Sequence, residues 1–214
     1  MGCKPSGLAE QPAVVRVSDN RLLAALPEDC LALLEPDLKE VALDQGTVCY
    51  EAGNPIEQIY FPQTGMISLL ITVGNGETVE VASIGREGAA GLQSGLGSRS
   101  SFTRAIVQIG GRFSVISASL FKQAVSGSAA LRELVQRHTE TLLAEAQQNA
   151  ACNAIHDGSS RLCRWLLQCA DRALQRGEAA LRHPGRADAE LGRAAAAGGD
   201  GLDHQRHVDA GSEA

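Results

Sequence analysis

Few residues in this sequence have the types and spacing that chemistry requires. Six cysteines (Cys3, Cys30, Cys49, Cys152, Cys163 and Cys169) are spread along the chain without one C-x-x-C pair, so neither a zinc knuckle nor a dithiol redox motif is indicated. They read as reduced, mostly buried thiols. His204-Gln205-Arg206-His207 has the spacing of a metal pair, but it stands in a stretch without the apolar residues that would hold two imidazoles in place, and no metal site is expected. No Ser/His/Asp or Cys/His constellation has the flanking sequence of a nucleophile and its base, and no phosphate loop is present. The sequence therefore does not point to an enzyme.

Composition narrows the class further. The chain has 214 residues, 44% of them hydrophobic, and a formal charge of −6. That is enough apolar material for a core and one long helix or a second small domain. The negative balance argues against the chain as a whole binding nucleic acid, whose phosphates must be met by Lys and Arg. No run approaches the eighteen apolar residues of a membrane span, and no basic start leads into an apolar stretch, so a cytoplasmic location away from membranes is expected. The start Met1-Gly2-Cys3-Lys4-Pro5-Ser6 fits a myristoylation pattern, yet the strong preference for Arg over Lys suggests a GC-rich, bacterial coding sequence in which that pattern has no meaning.

The elements follow from periodicity. Ser18-Asp19-Asn20 caps a short helix carrying Leu22, Leu23 and Leu26, and Pro27-Glu28-Asp29 opens another through Leu31, Leu33 and Leu34. From Leu38 the period changes to two: Val41 and Leu43, Val48 and Tyr50, Ile59 and Phe61, Ile67 to Ile71, Val79 and Val81, Phe102 to Ile109, and Arg112 to Ile116. Glycines separate these runs, and Val73-Gly74-Asn75-Gly76-Glu77 is the clearest hairpin turn. About eight strands in one compact β unit are predicted. After Ser117 the pattern becomes helical, first through Leu120, Phe121 and Val125. A much longer helix then runs from Ser128, with Leu131, Val135, His138, Leu142, Glu145, Asn149, Cys152 and His156 at alternating steps of three and four. Such a stripe is suited to a twin helix, although its polar members weaken an isolated coil. A helix laid along its own β unit is the other disposition. A third helix follows Asp157-Gly158-Ser159-Ser160 and carries Leu162, Trp165, Leu166, Leu167 and Cys169.

This order resembles the bacterial Crp/Fnr family of transcriptional regulators over roughly residues 20–172. The residues that carry the resemblance are Gly53 to Gly65 with Tyr60-Phe61 between them, Val79 to Gly88, and Ala151 to His156 with Arg161 to Leu167. The resemblance implies an α+β fold: an antiparallel β-roll, the double-stranded β-helix or jelly roll of cyclic-nucleotide-binding domains, with two short N-terminal helices and a long C-terminal dimerisation helix. It divides the chain into a flexible start at 1–17, a sensor roll at 18–127, a dimerisation helix at 128–157, the first helix of a DNA-binding domain at 158–172, and a tail at 173–214. It also implies a homodimer whose interface uses Leu131, Val135, His138, Leu142, Asn149 and Cys152.

In this fold, cyclic-nucleotide binders place a Gly-Glu pair on the ribose and an Arg-Ser or Arg-Ala pair on the phosphate. The matching positions here are Gly91-Leu92 and Arg99-Ser100. One half of that recognition is therefore missing, and a cyclic nucleotide is not the expected ligand. Arg104 and Arg112 are the other cations available to an anion. The clustered N-terminal cysteines of an iron–sulfur sensor are absent, and His138 and His156 read as interface residues rather than haem ligands.

The tail departs from the family. Residues 173–214 hold eleven Ala and seven Gly, with no Ile, Phe, Tyr, Trp, Met, Lys, Thr, Asn or Cys, so a packed domain is not expected there. Nothing in them matches the strand pair and Thr-Gln-Glu-like start of the family's helix-turn-helix. A one-base frame change would explain this, since His183-Pro184-Gly185-Arg186 read in a shifted frame can encode Thr-Gln-Glu. The resemblance thus predicts a sensing and dimerising regulator whose own DNA binding is lost. The alternatives are a headless module that pairs with a full-length relative, and a small-molecule-binding protein outside transcription.

Overall fold

In the computed structural model, residues 19–74, 76–97 and 100–173 are described. The expectations for the start, the tail, Arg99 and the His204/His207 pair lie outside them. Asn20 is fully buried. Its Oδ1 accepts the Leu23 N–H at 3.0 Å, capping helix α1 (Arg21–Ala24), while its Nδ2 donates to the carbonyls of Pro62 at 2.8 Å and Gly88 at 3.0 Å. One side chain thus both starts the helix and pins it to the roll. Helix α2 (Glu28–Ala32) has no side-chain cap; Glu28 and Asp29 in its first turn offset the exposed N–H groups electrostatically.

Seven strands follow: β1 (Lys39–Leu43), β2 (Val48–Tyr50), β3 (Gln58–Pro62), β4 (Met66–Thr72), β5 (Thr78–Ile84), β6 (Arg104–Ile109) and β7 (Gly111–Ser117). They form two antiparallel sheets, β1-β7-β3 and β2-β6-β4-β5. An eighth extended segment is reduced to a single bridge between Tyr60 and Ala90. The sixth strand starts at Arg104 rather than Phe102, because the Ser101 hydroxyl donates to the Thr103 carbonyl at 2.7 Å and closes a local turn. Phe102 is left 87% exposed. The expected hairpin at residues 73–77 is present, with Val73 N–H donating to Glu77 C=O at 2.8 Å.

The chain passes from one sheet to the other at a corner where two backbones touch. A Cβ on Gly65, whose φ is +96°, would lie 2.5 Å from the Ile109 carbonyl oxygen, and one on Gly111 would lie 2.1 Å from that of Thr64. Only glycine allows this approach. Between the sheets lie Ile59, Phe61, Ile67, Leu92, Val107 and Phe113, all 1% exposed or less. Helix α3 (Ala118–Gly127) closes one end, its Phe121 meeting Phe61 edge-on at 6.3 Å between ring centroids.

Helix α4 (Ala129–Ile155) is capped by Ser128, whose Oγ accepts the Leu131 N–H at 3.2 Å. The stripe predicted to face a twin helix is met by this chain's own roll. Leu131 and Val135 are fully buried in the core and have no surface left for a partner. Leu142 packs against the same cluster. His138 accepts the Ala89 N–H at 3.2 Å, Glu145 accepts that of Ser83 at 3.5 Å, and Asn149 donates to the Val81 carbonyl at 3.0 Å. Cys152 is buried beneath Arg164 and Gln148. Of the stripe's hydrophobic edge residues, Leu143 stays 58% exposed.

Helix α5 (Gly158–Ala173) starts at Asp157, whose Oδ1 accepts the Ser160 N–H at 2.8 Å, and folds back onto the outer face of the β4–β5 sheet. No helix among the described residues is long and apolar enough to cross a membrane. Because Leu131 is fully buried in the core, Leu131→Ala should lower the unfolding free energy by about 2–5 kcal/mol. Urea unfolding checks this: the midpoint should fall while the slope stays unchanged.

Candidate functional site

The segment between β5 and β6 is built around glycines. Gly91 has φ +94°, and a Cβ there would meet Ile56 Cγ2 at 3.0 Å and the Gln58 carbonyl oxygen at 3.1 Å. A 3-10 turn over Leu92–Leu96 follows and ends at Gly97, φ +99°. Gly95 lies so close to Phe121 that a Cβ would stand 2.8 Å from its ring. The Tyr50 hydroxyl is buried beside the Gln93 side chain and the Gly91 backbone, and desolvation holds it far above the usual phenol range. The Ser94 hydroxyl is also buried, with no hydrogen-bond partner.

Gly91 and Leu92 stand where the resemblance places the Gly-Glu pair of cyclic-nucleotide binders. Leu92 is 1% exposed and belongs to the core between the sheets. A charged side chain cannot replace it there without losing its water. At the far end of the segment, Ser101 is tied to the loop after β2: its N–H donates to Asn54 C=O at 3.0 Å and its C=O accepts the Gly53 N–H at 2.8 Å. This places Ser100 and Arg104 beside the 51–54 loop.

The two alternative anion contacts are already engaged. Arg104 Nε lies 3.3 Å from a Glu51 carboxylate oxygen. Strand alternation turns the Arg104 side chain away from the interior, into which the fully buried Ala105 points. Arg112 is shared between Asp19 at 3.3 Å and Glu40 at 3.6 Å. Ser100 and Arg104 thus lie beside the 51–54 loop with Arg104 paired to Glu51, while Leu92 belongs to the apolar core.

The thiols give no nucleophile at this end. Cys49, next to Tyr50, is pushed up to about 12 by burial and is a neutral thiol. Cys30, Cys152 and Cys169 are buried and Cys163 is exposed; all are free. No group of three or more His, Cys, Asp or Glu that could hold a metal occurs among the described residues.

A second polar cluster, which no motif announced, lies on the outer face of β4 and β5. The Ser68 hydroxyl donates to Glu80 at 2.5 Å. Arg172 of α5 donates through Nε to Glu87 at 2.9 Å and through Nη1 to Ser83 Oγ at 2.6 Å, with Nη2 3.9 Å from Glu145. Burial raises the carboxyls of Glu80 and Glu145. For Glu87 desolvation is the largest influence and acts upward, yet the Arg172 charge, the Gly85 N–H and the Arg172 hydrogen bond together outweigh it and hold the group low. The members of this cluster are between 3 and 104 residues apart, read from their positions, so only folding assembles them.

His138 stands between this cluster and the glycine turn. Burial pushes it down to about 4, which keeps it neutral and lets Nε2 accept the Ala89 N–H. Its native pKa lies below the unfolded value near 6.5. The stabilisation is therefore complete above that value and is lost as pH falls through 6.5 towards 4. Glu80 and Glu145 work in the opposite sense, so the comparison that isolates the imidazole is wild type against His138→Gln. Acidification from pH 7 to 4 should cost the wild type up to about 3 kcal/mol more than the variant, measured by urea unfolding at each pH.

No protein-family model and no curated protein matches the sequence. Solved structures do. A transcriptional regulator of the Crp/Fnr family from Eubacterium rectale superimposes with a TM-score of 0.59 at 15% identity, covering 72% of this chain and 72% of that one. FixK2 from Bradyrhizobium japonicum gives 0.55 at 17% identity, over 63% of this chain and 67% of that protein. The c-di-GMP-responsive global regulator CLP from Xanthomonas campestris gives 0.53 at 15% identity, over 65% and 70%. Against a regulatory subunit of a cAMP-independent protein kinase A from Trypanosoma brucei, the match spans only 43% of that protein's length. The antiparallel roll with its flanking helices is the fold of Crp/Fnr regulators and cyclic-nucleotide-binding domains.

Proposed function

We propose that this chain is the effector-sensing and dimerising part of a Crp/Fnr-type transcription regulator. The observation that carries the reading is the structural match to a Crp/Fnr-family regulator over 72% of both chains with a TM-score of 0.59. A fold alone hosts many functions; what adds to it here is that α4 and α5 touch the segment that leads into the glycine turn. A ligand at that turn would act on the helices through a shared stretch of backbone.

The effector on this reading is not recognised as a ribose phosphate. Leu92 fills the carboxylate position from within the core, and Glu51 neutralises Arg104. The partner is a second copy or a full-length relative, met through surface that α4 still offers at Leu142 and Leu143. On this reading residues 19–173 sense and pair, and DNA contact comes from elsewhere, because residues 174–214 carry no helix-turn-helix pattern and the formal charge of −6 opposes phosphate contact.

Two measurements on the full chain test this. Sedimentation equilibrium at micromolar concentration should give a dimer; a lone subunit would overturn the dimerising role. A mobility-shift assay should show no salt-sensitive, sequence-specific DNA complex, and a tight one would overturn the assignment of DNA contact elsewhere. Co-expression with an intact relative separates the two forms of the reading: reporter output falls if the chain works by pairing with that relative, and is unchanged if it pairs only with itself.

A further inference from the structure

Helix α5 is docked with its faces reversed. An amphipathic helix ordinarily lays its leucines on the protein and turns its charges to water. Here Leu162, Leu166 and Leu167 are 39%, 38% and 66% exposed, while Arg161, Arg164, Trp165, Gln168, Cys169 and Arg172 are the less exposed side chains. Hydrophobic burial of its leucines therefore does not hold this helix in place.

What holds it, beside the buried Cys169 and the half-buried Trp165, is polar. Arg172 keeps only 15% of its side-chain surface and lies among Glu87, Ser83 and Glu145. Two of its nitrogens make short charge-assisted or hydroxyl contacts. Its aliphatic stem closes over Gly85, where a Cβ would stand 2.9 Å from Arg172 Cγ; the glycine leaves the room in which the stem lies. Further along the same face, the Trp165 side chain lies near Glu80 and offsets part of the effect of burial on its carboxyl. At the other end, Arg164 Nη1 donates to Cys152 Sγ at 2.6 Å.

We propose that Arg172 is a latch: seated in the Glu87–Ser83–Glu145 socket it holds α5 on the sheet with its leucine face outward, and its withdrawal releases α5 as a unit from a roll that stays folded. The socket lies on the same stretch of chain as the glycine turn. Glu87 is followed by Ala89, which is bonded to His138, by Ala90, which is paired with Tyr60, and by Gly91. Gly91 is only four positions after Glu87, so a shift of that stretch reaches both the turn and the latch. The inference needs neither DNA nor a particular effector, and so stands apart from the regulatory reading.

The chain's one tryptophan, Trp165, lies on the docked face and reports the latch directly. In the full-length protein, Arg172→Ala should shift its emission to the red and raise acrylamide quenching at least about two-fold, as expected of local opening without global unfolding. Far-UV circular dichroism and the urea midpoint of the roll should change little. Arg172→Lys should fall between the two, because a point charge cannot serve Glu87 and Ser83 at once. The reversed pair, Arg172→Glu with Glu87→Arg, should return quenching towards wild type while each single change raises it. Wild-type quenching in Arg172→Ala, or a reversed pair no better than its single members, would overturn the latch. If Arg172→Ala fails to fold, Arg172→Lys and Glu87→Gln keep the bulk in place and carry the same readout, with unchanged quenching in both counting against the latch.

Discussion

The edge of the four-stranded sheet is the constraint on which the arrangement depends. Strand β5 is the outermost strand next to β4, and the pairing slips between Leu69 and Leu70, leaving Val81 as the extra residue of a bulge. Its carbonyl and the amides of Ser83 and Ala89 need partners, since backbone groups removed from water without them are costly. Helix α4 supplies all three from Asn149, Glu145 and His138. The helix is long and its stripe is polar because it covers a strand edge, and a neutral His138 is required because its nitrogen must accept.

This covering joins regions that would otherwise be independent. The segment from Ile84 to Gly91 leaves the sheet, is bonded to α4 at Ala89, supplies the carboxylate that receives Arg172, and ends at the positive-φ glycine that starts the 3-10 turn. The turn itself is packed from both sides, by Leu92 within the roll and by Phe121 against Gly95. Close-packed contacts of this kind shift together rather than deform one by one. The glycine turn and the polar cluster on the outer face of β4 and β5 are thus connected by a short, well-held stretch of chain.

Much of the fold was legible in the sequence. Alternation gave the strands, Asn-Gly gave the β4–β5 hairpin, and Ser128 gave the start of α4, because each signal is local and its physical cause lies within a few residues. Phe102 carries a strand-former's propensity yet lies outside the strand, because Ser101 and Thr103 close a turn that propensity does not register. The stripe on α4 was legible as a stripe, but a heptad spacing is equally suited to a second helix or to the side of a sheet. Arg104 could be seen as a cation and not as one already facing Glu51.

The sequence by itself determined where the chain is extended, where it is helical and where glycine is obligatory, since these depend on backbone preferences and on side-chain period. Tertiary structure alone decided what each face meets. Asn149 and Val81 are 68 residues apart, Arg172 and Ser83 are 89 apart, and no spacing rule reaches across such distances. A polar side chain takes its role from whichever group folding leaves without a partner, and that is settled only when the sheet edge, the long helix and α5 are brought together.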